Sequence, residues 1–439
     1  MAIRQGPGRR PLPAPRFVPL SAPADRLGEG ALLSALIAVP FLFDVRTAHV
    51  FEPEKATLVR LAGLLALAGA LAWAGRGARR RPDAAREARP LAWSVRLFVG
   101  ALLLSTALAV DVPAALLGSE HRQHGLLTLL ALVALGWAAS RAPRAAVERG
   151  LTVIAAGSLP AAGYAIAQHQ GLDPLPWAQD TALRVTGPLG HPAFLAGYLM
   201  MALIVALGRA AAAAEDLRGA AGRAGPLARL AIYGAIVIAD AAAFVWAGSR
   251  GPWLGLGAGV AVFFLALAVV EGRRRLALGT FGLAGAGVLA LLLLNLAGGP
   301  LERLREGEGV GRLAHLLDAE SGTVRGRVLI WDATMDRLAS TQPLAFADGR
   351  RDRLAALRPW VGFGPESFTA ALLPFYPPEL GHIEKEHPIP DRAHNDLLDA
   401  AMAGGLLGLL AHVALVGAVL VLAAARLGLG PARRAAGLL

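Results

Sequence analysis

Long apolar runs separated by short polar joints fill most of the chain. The runs lie near residues 30–47, 55–75, 92–110, 125–140, 150–167, 192–208, 229–248, 253–270, 276–298 and 404–425. Each is long enough, or nearly so, for a helix that crosses a bilayer. The pattern predicts an all-α, polytopic membrane bundle of about ten spans. One polar stretch is out of scale with the rest. Residues 299–393 are far too many for a simple connection, so this segment is expected to be functional or folded. It leads into the 388–410 stretch, where Asp391, Arg392, His394, Asn395, Asp396 and Asp399 precede the last apolar run.

Composition supports the membrane reading. The chain is 55% hydrophobic and only 17% charged, with mean hydropathy +0.51, which no ordinary soluble domain matches. The net charge of +11 could point to nucleic acid, but it comes almost wholly from arginine; lysine occurs only at Lys55 and Lys385. The arginines gather in joints between apolar runs, at 76–89, 141–149, 209–229 and 271–275, with Arg433 and Arg434 after the last run. Basic joints mark the cytoplasmic side. This places the N-terminus inside and the 299–393 segment outside. The absence of cysteine excludes disulfides, thiol catalysis and thiolate metal sites. No cleavable signal peptide, internal repeat, coiled coil, Walker loop, dinucleotide fingerprint or His-Glu metal helix is present.

The expected organisation is a disordered basic cytoplasmic N-terminus over 1–28, a transmembrane bundle over 29–298 and an extracytoplasmic loop over 299–393. A His-Asn helix with the last span follows over 394–425, and a cytoplasmic tail, read as truncated or shortened, over 426–439.

With this orientation, each even-numbered span starts on the outer face, and each start carries distinctive polar groups. They are Lys55 for the second, His121, Arg122 and His124 for the fourth, and Arg184 with His191-Pro192 for the sixth. The eighth has Ser249, Arg250 and Pro252, and the tenth has Arg392, His394 and Asn395. Helix N-termini carry free N–H groups and partial positive charge, so they favour anions. Several such ends on one face point to a polyanionic ligand; each alone reads as an interfacial anchor or cap. A helix is also predicted across GTVRGRVLIWDATMDRLAS, with Val328, Trp331, Met335 and Leu338 on one face. Arg325 and Arg327 stand at its start, suited to phosphate oxygens. Trp331 reads as core, and Phe375, Tyr376, Pro377 and Pro378 as bracing. Asp240, inside the seventh run, is a functional candidate by its location; a hydrogen bond to a neighbouring helix explains it equally. At the last span, either Asp391 or Asn395 can cap the helix.

Taken in order, GPLGHPAFLAGYL, GSRGPWLGLGAG, RVLIW followed by VGFGPESF, and DRAHNDLLDAAMAGGLLG resemble the O-antigen ligase superfamily. That superfamily also includes O-antigen polymerases and protein O-oligosaccharyltransferases. The resemblance spans roughly residues 51–425. It implies a GT-C-like glycosyltransferase of the bacterial cytoplasmic membrane, working on the outer face without a cofactor or metal. The donor would be a glycan on undecaprenyl diphosphate, and the acceptor a glycolipid, polysaccharide or protein hydroxyl. By motif position, Arg250, Arg327 and His394 match the family's functional arginines and histidine, with Asn395 beside the latter. Arg122 and Arg184 join as donor-binding helpers, and His191, Arg325 and Arg392 as supporting residues. His394 acts either as general base on the acceptor or as a cation beside the departing diphosphate. Two departures stand out: about ten spans against around twelve in members, and His191 where many relatives carry Asn. A transporter or flippase of an anionic lipid or solute is the rival from another class. It would place charged sites near the bilayer midplane and often in paired repeats.

Overall fold

The computed structural model describes residues 23–74, 89–177, 180–219, 222–296, 299, 301, 322–346, 349–383 and 389–427. Residues 1–22 of the expected N-terminal tail, nearly all of the 76–89 joint, Lys385 and the Arg433–Arg434 pair lie outside the described residues.

Helix α1 (Pro23–Ala38) packs on α2 (Glu52–Ala74), and α3 (Arg89–Ala107) leads into the short α4 (Val112–Leu117). The chain continues through α5 (Leu126–Arg141), α6 (Arg144–His169), α7 (Pro192–Gly219), α8 (Ala224–Ala247), α9 (Arg250–Glu271) and α10 (Arg274–Asn295). The polar segment contributes α11 (Gly322–Ala339), α12 (Arg358–Val361), α13 (Phe368–Leu372) and α14 (Leu380–Ile383), and α15 (Asp396–Arg426) follows. The protein is thus a predominantly helical, polytopic membrane bundle.

Among the described residues, eight helices are long and apolar enough to cross a membrane: α2, α3, α6, α7, α8, α9, α10 and α15. The other two expected spans fall on α1 and α5, each of 16 residues. Sixteen residues rise about 24 Å, short of a hydrocarbon core of about 30 Å, so among the described residues length and composition support eight spans. Two boundaries also move. Residues 23–28, expected to belong to a disordered tail, form the start of α1. The first run, read to residue 47, is helical only to Ala38, because Pro40 lacks an N–H and disfavours helix in the residue before it.

Small residues hold the centre together. Ala162 and Ala165 of α6, Ala196 of α7, and Ala243 and Ala247 of α8 are fully buried around Leu195, Leu199 and Phe244. Alanine lets backbones approach closely where lipid offers no hydrophobic drive. The apolar window of α7 is 33% buried, against 6% for α9 and for α10, so α7 is interior and α9 and α10 turn their side chains outward to lipid.

Helix α15 is not one rod. Gly405 has φ +61° and ψ −160°, a non-helical conformation inside it. In a straight helix residues 16 apart lie about 24 Å from each other, yet His412 Nε2 is 2.7 Å from Asp396 Oδ2. A Cβ on Gly408 would lie 3.3 Å from the Ala400 carbonyl. The 396–404 arm therefore folds back on the 406–426 arm. Carbonyls freed by the break are taken up from outside: Phe363 N–H donates to Met402 O and Gly364 N–H to Ala403 O, both at 2.9 Å. Ser105 Oγ of α3 also donates to Ala403 O, at 2.6 Å.

The segment making those bonds, 358–364, belongs to a small cap built on Ile330, Phe363, Phe368, Leu372, Leu380 and Met402. Arg358 anchors it with a bidentate, buried pair to Asp352 and with bonds to Leu108 O and Gly362 O. The inward face of α11 differs from the expected one. Ile330, Ala333, Thr334 and Arg337 point in, whereas Val328 and Met335 are 43% and 55% exposed. Arg337 reaches the interior by lying over the Phe363 and Phe375 rings, so an apolar pattern alone misplaced the face. Trp331 packs partly into the cap as expected.

Candidate functional site

Three joints between helices build the site. The first, 118–125, is a tight turn. Gly118 has φ +95°, and a Cβ on Gly125 would meet Gly118 N at 2.3 Å. Arg60 of α2 holds this turn: its Nε donates to Thr128 Oγ1 at 2.9 Å and its Nη2 to Leu117 O and Gln123 O. Sequence reasoning missed Arg60. The available signal was a lone arginine inside an apolar run, which is costly unless used.

The second joint, 184–191, hangs from Gln168 at the end of α6. The fully buried Gln168 accepts at Oε1 from Thr186 N (3.0 Å) and Gly187 N (2.8 Å) and donates from Nε2 to Asp173 Oδ2 at 2.9 Å. Asp173 also accepts from Tyr164 OH, Trp177 Nε1 and Leu175 N. Burial works against its charge, yet these donors keep its carboxyl below the usual range. Arg184 reaches the α8–α9 joint, donating to Ala247 O and Ser249 Oγ, both at 3.2 Å. Ser249 therefore serves Arg184 instead of capping α9, whose first residue is Arg250. Lys55, expected to present a charge at the start of the second span, is already committed. Its three donors go to Val39 O, Pro40 O and Pro188 O.

The third joint leads into α15. Arg122 Nε donates to Asp391 Oδ2. Arg392 Nη2 contacts His124 Nδ1 at 3.0 Å and Glu366 Oε1 at 3.4 Å, and Ser119 Oγ donates to the other Glu366 oxygen. Arginine can only donate, so His124 Nδ1 accepts and its ring carries the proton on Nε2. Burial and then the Arg392 charge lower the His124 pKa, which agrees with a neutral ring. Glu366, another residue sequence reading passed over, has a side chain only 5% exposed.

Of the two candidate caps for the last helix, Asn395 takes the position. Its Oδ1 accepts from Leu397 N at 3.1 Å and Leu398 N at 3.4 Å. His394, just before it, is exposed with φ +51°, the left-handed region that side chains rarely adopt. His394 and Asn395 thus precede the helix instead of lying on it. Ala393 is held on both sides: its N–H donates to Asp399 Oδ1 and its carbonyl accepts from Trp331 Nε1, both at 2.8 Å.

The joints converge. His191 Nδ1 accepts from Ala193 N at 3.1 Å and so caps α7. Burial depresses the His191 pKa, and the charges of Arg184, Arg122 and His394 depress it further. Burial pushes the Asp391 carboxyl up, but Arg122, His394 and Arg392 together hold it below its ordinary value. The charges of Arg122, Arg184 and His394 are thus all felt at His191, and those of Arg122, Arg392 and His394 at Asp391, across three separate joints. The two arginines of α11 stand elsewhere. Arg325 pairs with Glu379 at 2.9 Å, and Arg327 is exposed with no hydrogen bond or ion pair to another described residue. Among the described residues no group of three or more His, Asp or Glu has the arrangement to hold a metal ion. Two guanidinium groups and two imidazoles, with the Asp391 carboxylate among them, offer donors to an anion and a place for a proton beside it. No protein-family model, curated protein or solved structure matches the chain.

Proposed function

We propose that the chain moves a glycan from undecaprenyl diphosphate to an acceptor hydroxyl at the outer face of a bacterial cytoplasmic membrane. The observation carrying this reading is the convergence of Arg122, Arg184 and His394 around His191. A diphosphate leaving group needs several cations at one place, and these come from joints far apart in sequence. The motif resemblance to the O-antigen ligase superfamily supplies the substrate class. It also supplies the GT-C-like architecture, in which α1 and α5 serve as two further short spans.

In this reading the acceptor oxygen attacks the anomeric carbon as the bond from that carbon to the diphosphate oxygen breaks. The bonding pair leaves with the diphosphate, whose growing charge falls on Arg122, Arg184 and Arg250. His394 takes the hydroxyl proton or, if already protonated, stabilises the leaving group. Attack from the opposite side inverts the anomeric centre. Arg327 contributes only if it reaches the donor from the cap. The same chemistry serves a ligase, a polysaccharide polymerase or a protein O-oligosaccharyltransferase. A transporter or flippase draws support from the broken α15, since broken helices line transport sites; the cations at helix ends favour transfer.

The test uses purified full-length protein with lipid-linked glycan and candidate acceptors. His394→Ala should cut transfer by about 10²–10⁴-fold while retaining donor-analogue binding. Arg122→Ala and Arg250→Ala should weaken that binding about ten- to a hundredfold. Near-wild-type turnover in His394→Gln rules out proton transfer by this residue. Unchanged affinity in both arginine variants removes the diphosphate site. Movement of the lipid across vesicles without any transfer product establishes the transporter.

A further inference from the structure

The inward face of α11 follows helical spacing: Ile330, Ala333, Thr334 and Arg337 stand three or four residues apart, and all are buried. An arginine thus occupies a place where the spacing calls for an apolar side chain. It is only 1% exposed. A buried lysine or histidine can escape its charge by shedding a proton; a guanidinium cannot. The charge of Arg337 must be answered where it lies.

The cap answers only part of it. The guanidinium carbon lies 4.6 Å from the centre of the Phe363 ring and 5.4 Å from that of Phe375. Ring faces attract a cation but leave its N–H groups without a lone pair. Nη1 donates to Gln342 O at 3.1 Å. Nε and Nη2 are buried and have no hydrogen-bond partner among the described residues. These two nitrogens share one edge of the planar fork, with parallel N–H bonds, the edge that grips an anion with two donors at once. The carboxylate whose charge reaches Arg337 is Asp352, but both its oxygens are taken. Oδ2 accepts from Arg358 Nε at 2.7 Å, and Oδ1 from Arg358 Nη2 at 2.9 Å and Leu354 N at 3.0 Å. Arg358 and Asp352 are buried too. Two buried guanidinium groups therefore face one carboxylate, an excess of one positive charge.

We infer that the Nε–Nη2 edge of Arg337 binds one small monovalent anion, of the size of chloride or formate, inside the cap. Charge sets the valence: one negative charge balances the three groups, and a divalent anion overshoots. Enclosure sets the size, since Ile330, Phe363, Leu372 and Leu380 of the cap are all buried. Water would satisfy the donors and leave the charge. The inference does not rest on the transferase reading. It does bear on α15, because Phe363, under the Arg337 guanidinium, donates its N–H to Met402 O at the break. An anchored Arg337 steadies that strut.

The experiment follows thermal unfolding of the full chain in nanodiscs at constant ionic strength, with chloride, formate or sulfate replacing gluconate. An anion that binds only the folded state raises the midpoint with its concentration. The rise should be roughly 1–3 °C for each tenfold increase in chloride above its dissociation constant. Formate should act similarly, and sulfate should leave the midpoint where gluconate does. Arg337→Met replaces the charge with an apolar chain, and its midpoint should be the same in all four salts. Arg337→Lys keeps the charge without the fork and should need about tenfold more chloride for the same rise; it decides the matter if the methionine variant does not fold. A wild-type midpoint indifferent to chloride, an equal rise with sulfate, or a chloride response that survives unchanged in Arg337→Met or Arg337→Lys overturns the inference.

Discussion

Between α6, α7 and α8 the helices run unbroken through their contacts, and alanines with no exposed surface set the spacing. Between α3 and α15 the chain breaks at Gly405, folds back and takes backbone bonds from a loop of the cap. Both regions hold a joint of the site at their end. The first holds its joint through one side chain, Gln168, in a dry interior. The second holds its joint through backbone against backbone and leaves a cavity between the arms. Unbroken packing makes a stiff base; a broken helix makes room, because freed carbonyls and a wedge between the arms are places a ligand can reach. The difference places Arg184 on the stiff side and Arg392, with the open space, on the other.

The largest test of this contrast is Gly405→Ala. Its φ and ψ belong to a region nearly reserved for glycine, and a Cβ would lie 2.3 Å from the Trp360 carbonyl carbon. Strain and overpacking together should cost about 2–6 kcal/mol and open the hairpin. The chain lacks cysteine, so a short bifunctional thiol cross-linker between Asp396→Cys and His412→Cys reads the fold-back directly. That cross-link should form in the parent and fail with Gly405→Ala; equal yields in both would show that the fold-back does not need the glycine.

On the stiff side, Gln168→Leu should cost about 2–4 kcal/mol, because Thr186 N and Gly187 N lose their buried acceptor. Thermal unfolding in detergent measures it. A shift within error would mean that water replaces the amide, and that this joint is less dry than its packing indicates.

The pH response should be smaller. The His191 pKa is depressed in the fold, and its Nδ1 must stay unprotonated to cap α7. The folded protein therefore binds this proton less readily than the unfolded chain does. The stabilisation is fully present above the unfolded value of about 6.5 and is lost as pH falls from there through the depressed pKa. A cap contributes about 0.5–2 kcal/mol. His191→Asn should preserve the cap and remove this component of the pH dependence, as followed by unfolding between neutral and mildly acidic pH.

The smallest expected effect concerns Asp240. This fully buried carboxyl accepts from Ser158 Oγ at 2.7 Å, while its Oδ1 has no partner among the described residues. An ionised acid there would be very costly, so Asp240→Asn should change stability by no more than about 1 kcal/mol. A large loss would show that charge is required and that the interior is not dry.

Much of this was legible in the chain because apolar runs report helices directly. The α6–α8 base follows from three long runs rich in alanine. The fold-back was not legible: Gly404 and Gly405 sit inside an apolar run, and a glycine pair in such a run is compatible with a continuous span. Only the Trp360 and Val361 backbone pressed against Gly405 shows why the helix must turn. At the site, Arg122, Arg184, His191 and His394 announced themselves as polar groups at helix starts. Gln168 and Arg60 did not, because their work is to bond backbone segments distant in sequence. Lys55 misled for the same reason, since its charge is spent on three carbonyls.

Ala393 has a mechanical consequence. One side of its peptide is tied to α11 through Trp331 and the other to the first turn of α15 through Asp399. His394 follows immediately, in a backbone conformation that relaxes if those ties slacken. Helix α11 and the first turn of α15 are therefore pinned to one another at the residue before the imidazole, so the backbone of His394 is set by the spacing of two helices at once.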